Sequence, residues 1–345
     1  MLGIKLNLSD IVFNRKLQFS VVANLFIRRN QIMSKVNLEK IARPKVTRER
    51  FMSRYLPLYL MILPIVVYYV VFVYKPMAGL VIAFQDYSPF KGISNSNWIG
   101  LEHFFNFFKT PTVGRLFRNS IMLNVWSLLI NFPAPIIFAL LLNEVKNARL
   151  KKSIQTLTYM PHFVSTVVAA GIIVNMLAPG YGIITQFAKL ITGKDFFFAT
   201  MPEAFRPTYI GLNMWKELGY STIVYLSAIA SVDAELYEAA AIDGANKFKR
   251  ILNVTIPGIA PTIITLLILR MGSMLATGAE TIILLYQPST YEVADTISTY
   301  VYRYGLVEGN YSFSSAVGIF NSIVSLIMVS AANFISSKVT KVGLW

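Results

Sequence analysis

The 345-residue chain has no cysteine and only two histidines, His103 and His162. Disulfide frameworks and thiolate metal centres are thereby excluded, and two histidines are too few for a histidine metal cluster. Charge is also scarce: 14% of residues are Asp, Glu, Lys or Arg, where soluble domains carry roughly a quarter. Acid is the scarcer sign, with 17 Asp and Glu against 32 Lys and Arg. No GxxxxGK(S/T) phosphate loop occurs, because Gly193-Lys194 lacks both the upstream glycine and a following Ser or Thr. ATP hydrolysis by this chain is therefore not expected. The net charge of +15 would suit nucleic acid, but the basic residues are not interleaved with aromatics in a soluble stretch, so no nucleic-acid partner is expected.

What the chain has in abundance is apolar sequence. It is 55% hydrophobic with mean hydropathy +0.54, which predicts an all-α polytopic membrane protein. About six spans are expected: Tyr55–Tyr74, Ser120–Leu142, Ile154–Ala178, Thr208–Ala230, Gly258–Leu285 and Ser312–Ile335. Lys75 is expected to end the first, and Pro133 and Pro135 to kink the second. The third contains Pro161 and His162, the latter read as a structural hydrogen-bonder. Residues 1–54 form a basic tail with 12 Lys and Arg, suited to the cytoplasmic side and to anionic membrane lipid. The membrane domain then covers residues 55–345. The dense basic loop Asn143–Lys152 also reads as cytoplasmic, as do both termini. The orientation rests on these features, since nine Lys and Arg fall on the predicted outer side, as many as on the inner side outside the tail. The outer segments would be Pro76–Leu116, Pro179–Pro207 with a surface or re-entrant helix at Ile183–Ile191, and the tyrosine-rich Gln287–Tyr311.

The polar passage Asp233–Pro257 lies between the fourth and fifth expected spans and reads as two short helices broken at a glycine. Asp233 is placed to cap the first helix and Glu235 to meet its dipole. Gly244 is free to take the positive φ of a sharp reversal. A second helix is expected over Ala245–Asn253, with Phe248, Ile251 and Leu252 opposite Lys247, Lys249 and Arg250, and Pro257 starting the next segment. The small residues Ala239, Ala240, Ala241 and Ala245 would let another protein approach closely. On physics alone they equally suit a loop whose alanines simply favour helix.

The order Glu238-Ala239-Ala240, Asp243-Gly244-Ala245, Phe248, Val254-x-Ile256-Pro257 resembles the EAA motif of permeases in binding-protein-dependent ABC importers. Further matches are Tyr74-Lys75-Pro76-Met77-x-Gly79, Gln155-x-x-x-Tyr159-x-Pro161-His162-Phe163 and Gly343-Leu344-Trp345. They resemble the branch that handles complex oligosaccharides, alginate and polysaccharide fragments, from about Leu56 to the C-terminus. The resemblance implies a type I importer transmembrane fold and a heterodimer with a second homologous permease. It also implies two ATPase subunits, which would hold ATP and Mg, and an extracytoplasmic substrate-binding protein. Glu238, Ala239, Ala240, Asp243, Gly244, Ala245, Phe248 and Pro257 would then be the ATPase-coupling residues.

By position in maltose-type relatives, the sugar path would involve Asn213, Trp215 and Tyr220 on the fourth span, with Ser273 and Thr277 on the fifth. Each would equally serve as a helix-packing contact with the partner permease. Lys216 and Glu217 are adjacent and face different ways, so they are not expected to pair with each other. Arg270 is expected to find a partner or water in the assembly, as a structural ion pair ahead of the other reading, recognition of an acidic sugar. Two other classes make demands that the sequence does not meet. A self-sufficient secondary transporter would need intramembrane acid or histidine relays and internal repeats, of which Glu217 and Glu280 are the sole traces. A membrane enzyme would need a nucleophile or metal constellation, and the sequence has none.

Overall fold

A computed structural model describes residues 48–274 and 278–344, with side chains from Tyr55 onward. Most of the expected tail (residues 1–47) and Thr277 lie outside the described residues. The chain divides into two units, Met1–Pro76 and Met77–Trp345. In the first, helix α1 (Arg48–Tyr69) leads into a π-helical turn, Val70–Tyr74. Helix therefore starts within the expected tail. Lys75 does not end the span, because the apolar helical run continues over Tyr55–Phe84, 30 residues in all. A lysine can lay its alkyl stem along such a helix and present its amine at the interface without breaking the backbone ladder.

The second unit opens with a 3-10 stretch, Ala78–Phe84, and a two-stranded hairpin in which β1 (Gln85–Asp86) pairs antiparallel with β2 (Asn97–Trp98). Helices α2 (Glu102–Lys109), α3 (Val113–Asn131) and α4 (Pro133–Asn143) follow. Helix α4 begins at Pro133, as a residue with fixed φ and no N–H to lose favours. Next come α5 (Ala148–Tyr159), α6 (Thr166–Met176), α7 (Ile183–Thr192) and the 29-residue α8 (Pro202–Ala230). The polar passage holds α9 (Ala234–Ile242) and α10 (Lys247–Arg250), and α11 covers Ile256–Gly272. Helices α12 (Ala279–Leu285), α13 (Tyr291–Ala294), α14 (Ile297–Tyr302) and α15 (Tyr311–Thr340) complete the unit.

Among the described residues, four helical runs are long and apolar enough to cross a membrane: Tyr55–Phe84, Val113–Asn143, Lys247–Gly272 and Tyr311–Thr340. The third expected span is not one straight helix: α5 and α6 meet at a bend of 101° and make a fifth crossing if taken as one. Pro161 has no N–H to donate, Val164 is extended, and Ser165 caps α6 by accepting from the Val168 amide. The remaining expected span, α8, is long enough at 1.5 Å per residue, roughly 43 Å, but Asn213, Lys216 and Glu217 interrupt its apolar sequence. The expected fifth span also stops short, ending at Gly272 and resuming at Ala279 beyond Gly278. Each glycine is about 1 kcal/mol poorer in a helix than alanine.

Helix α8 packs against α3, α4, α5 and α11. Its buried Tyr209, Ile210 and Leu212 join Leu123, Ala169 and Ile282, while Tyr225 and Ile229 join Ala139 of α4 and Ile259 of α11. Gly219 allows the closest approach, since a Cβ there would collide with the backbone carbonyl of Thr158 on α5.

Candidate functional site: a coupling turn, a polar cavity and a basic far end

The passage after α8 folds by local rules. The Asp233 carboxylate accepts from the Glu235 amide at 2.9 Å, capping α9. At the other end of α9, Gly244 sits at φ +75°. The Ala245 amide donates to the Ala240 carbonyl at 2.9 Å and the Gly244 amide to the Ala241 carbonyl at 3.1 Å. These two bonds and the left-handed glycine make a Schellman closure. The second helix starts later than expected, at Lys247, because Asn246 caps it by accepting from the Lys249 amide at 2.9 Å. It also does not end before Pro257. Residues Lys247–Gly272 form one helix, with a π-helical turn at Ile251–Thr255 just before the proline. The wider turn gives the Pro257 ring room against the preceding carbonyls and accommodates the hydrogen bond it cannot make.

Two side-chain contacts brace the turn, one to the end of α4 and one between its own two helical arms. Lys247 Nζ lies 2.9 Å from Glu144 Oε2, just after α4. Tyr237 donates from its hydroxyl to Thr255 Oγ1 at 3.0 Å. Its outer surface is bare: Glu238, Ala239, Asp243, Gly244, Ile242 and Phe248 are exposed, Ile242 at 86% and Phe248 at 67%.

A cavity of about 540 Å³ opens among α3, α8 and the end of α11. Of the sugar-path residues expected from sequence, Asn213, Tyr220 and Ser273 line it. Trp215 does not. It stands two positions from Asn213, hence on the opposite side of α8, and is 43% exposed. Sequence reasoning missed Asn124, Asn131, Tyr209 and Thr281, which also line the cavity. An asparagine inside an apolar run was the available signal for the first two.

Arg270 projects into the same cavity and donates to Ser127 Oγ at 2.8 Å. Within this chain no carboxylate among the described residues lies within 4.0 Å of it. Glu217 and Lys216 diverge as expected. Glu217 pairs with His162 Nδ1 at 3.0 Å, and Lys216 donates to Thr166 Oγ1 at 2.8 Å. The His162 ring stacks flat on Tyr220, centroids 3.8 Å apart, so the bend between α5 and α6 is docked onto α8 beside the cavity.

Helices α3 and α8 both begin at the end of the unit remote from the coupling turn, around Asp295. This carboxylate is fully buried and receives Arg303 through both terminal nitrogens, at 3.2 and 2.8 Å, and the Thr299 hydroxyl at 2.8 Å. Arg115 stands 3.8 Å away. Burial works against the Arg303 charge, but the bonds and charge of Asp295 outweigh it and raise the Arg303 pKa above the ordinary arginine value. Asn119 donates to the carbonyls of Glu292 and Asp295 at 2.8 and 3.0 Å. Arg118 shares the Glu292 carbonyl at 3.1 Å, and Arg206 donates to Asn119 Oδ1 at 3.5 Å.

Comparison with known proteins gives a consistent result. Residues 131–341 match the family described as "Binding-protein-dependent transport system inner membrane component". The chain is 44% identical to Protein LplB of Bacillus subtilis (strain 168) over 288 residues, covering 84% of this chain and 91% of that one. It is 45% identical over 288 residues to the polygalacturonan/rhamnogalacturonan transport system permease protein YteP of the same strain, covering 84% and 90%. Among solved structures, a chain of a bacterial alginate ABC transporter in complex with alginate pentasaccharide-bound periplasmic protein superposes with a TM-score of 0.78 at 44% identity. That superposition covers 85% of this chain and 98% of that one. A multi-pass helical architecture, a capped turn of EAA type and a polar cavity between the helices on either side of it agree with these likenesses, and the chain belongs to the family of binding-protein-dependent ABC transport permeases.

Proposed function

We propose that this chain forms half of the translocation pathway of an ATP-driven importer for oligosaccharides or polysaccharide fragments in the bacterial cytoplasmic membrane. Its partners are a second homologous permease, two ATPase subunits that bind ATP and Mg, and an extracytoplasmic substrate-binding protein. Both termini face the cytoplasm. The YteP and alginate-transporter likenesses support the substrate class.

One observation carries the reading. Helices α8 and α11 line the cavity, and the same two helices run directly into the coupling turn. A displacement of the turn by an ATPase is therefore delivered to the cavity walls without a flexible linker, as a two-state rigid-body switch requires. Exposed Phe248 and Ile242, together with the accessible faces of Ala239 and Gly244, supply the surface that seats in the ATPase. The exposed carboxylates of Glu238 and Asp243 flank it. In the cavity, Asn213, Tyr220 and Ser273 supply hydrogen-bonding groups and an aromatic face for a sugar, and Arg270 adds an un-neutralised positive charge.

The test is ATPase activity of the assembled complex in lipid, with oligosaccharide-loaded binding protein, for the wild type and Gly244→Pro. The Gly244 amide closes the turn and its φ is positive, so proline removes the bond and forbids the angle. Loaded binding protein should stimulate the wild type several-fold and leave the variant at its basal rate with the subunits still assembled. Substrate movement by this chain alone, driven by an ion gradient and indifferent to the substitution, would establish a secondary transporter instead.

A further inference from the structure

Around Asp295 more guanidinium groups gather than carboxylates pair with them. Four guanidinium groups, from Arg115, Arg118, Arg206 and Arg303, converge on this region, and Asp295 is the one carboxylate bonded there among the described residues. It is engaged by Arg303 at hydrogen-bonding distance and by Arg115 at 3.8 Å. Arg118 and Arg206 have no carboxylate within 4.0 Å. Instead one scaffold holds them next to each other: Arg118 on the Glu292 carbonyl, Asn119 on that same carbonyl, and Arg206 on the Asn119 oxygen. Their charges oppose one another across it. The Nε groups of Arg115 and Arg206 are buried with no hydrogen-bond partner.

Two like charges held side by side are unfavourable, and an anion arriving at the exposed Arg118 guanidinium next to Arg206 lowers that repulsion. Adjacent forked guanidinium groups match the two oxygens of a carboxylate. Position supplies the second half of the inference. Arg206 stands three residues before Tyr209, and Asn119 five before Asn124, and both Tyr209 and Asn124 line the cavity. On a helix these offsets are axial steps of roughly 4.5 and 7.5 Å. Arg206 and Asn119 thus stand about one to one and a half helical turns beyond residues that line the cavity, toward the ends of α3 and α8 away from the turn, and Arg270 stands in the cavity itself.

We propose that Arg118 and Arg206 form a carboxylate-binding station at the mouth of the pathway. It receives an acidic sugar unit of the substrate and hands it on toward Arg270. This rests on the oligosaccharide-importer reading and specifies the substrate as one that carries carboxylates.

The experiment uses the full complex in liposomes with its binding protein loaded with oligogalacturonate or oligoalginate, alongside the same oligosaccharides after carboxyl reduction to neutral sugars. Arg118→Gln, Arg206→Gln and the double variant are compared for import rate and half-saturating concentration, with Arg118→Lys as the charge-retaining control. For the acidic probes, the double variant should raise the half-saturating concentration about tenfold or more, while maximal rate changes little. Arg118→Lys should recover part of the loss, and import of any neutral probe the wild type accepts should be unchanged. Because Arg118 is exposed, its single Gln variant keeps the test open if Arg206→Gln fails to assemble. Equal loss for acidic and neutral probes, accompanied by weaker binding of empty binding protein, would overturn the proposal and assign the pair to acidic side chains on the docking protein. Unchanged import of acidic probes would overturn it outright. A wild-type complex that imports no saccharide at all would reject the importer reading, a different result from either.

Discussion

The two ends of α8 are built by opposite means. At the EAA-type turn most residues are exposed, and the reversal itself is made by bonds between residues no more than five apart: the caps at Asp233 and Asn246 and the closure at Gly244. The Tyr237–Thr255 bond and the largely surface Lys247–Glu144 pair add to them. At the far end, Asp295 is fully buried and Asn119 bonds to partners 173 and 176 residues away. Local bonds close the turn while leaving its outer surface exposed, Ile242 and Phe248 included. The long-range network fixes the starts of α3 and α8 against the segment of α13 and α14 and fixes where the arginines stand.

The contrast is most sharply broken by Asp295→Ala. Removing a buried carboxylate that Arg303 grips with both nitrogens leaves that arginine uncompensated, at a cost of about 3–5 kcal/mol. The purified complex should lose its cooperative thermal transition or show it shifted well downward, whereas single changes on the exposed face of the coupling turn should leave the transition in place. A full-sized loss of stability from the turn variants as well would erase the distinction between the ends. Gly219→Val is the next largest effect. It sits between the two ends, where α8 meets the α5 backbone, and its added carbons have no void to enter. Overpacking of this kind costs about 1–3 kcal/mol. The same thermal assay should therefore show a smaller downward shift, and a wild-type transition temperature would mean the helices part without penalty. Smallest is the Lys247–Glu144 pair, which is largely exposed on both sides. A double-mutant cycle with Lys247→Ala and Glu144→Ala should return about 0–1 kcal/mol, decreasing as salt is added. A larger, salt-independent coupling would show that the turn is anchored more firmly than its bare surface implies.

The turn was legible from sequence because capping and left-handed reversal depend on residue type at short, fixed spacing. Asp233 and Gly244 do in the structure what their chemistry predicts. Pro257 likewise falls in the first turn of α11, as its rule predicts, and the sequence did not announce the π-helical turn Ile251–Thr255 that joins α10 to it without a break. Pro161 misled: its apolar neighbours read as one span, yet the chain bends by 101° there because Ser165 begins a new helix with its own cap. In the cavity, helical spacing correctly put Asn213 and Tyr220 on one face, and the same geometry turns Trp215 away. Arg270 meets Ser127, a hydroxyl 143 residues distant, which no pattern along the chain announces.

By itself the sequence determined the membrane class, the all-α composition, the polar passage as a capped reversal and the likeness to importer permeases. Each of these follows from composition or from residues that act on near neighbours. Tertiary structure alone decided which polar residues share a cavity, that Arg270 meets the Ser127 hydroxyl, and that three further arginines gather around the pairing of Arg303 with Asp295. Such groupings join positions more than a hundred residues apart, and they are set by how the helices cross.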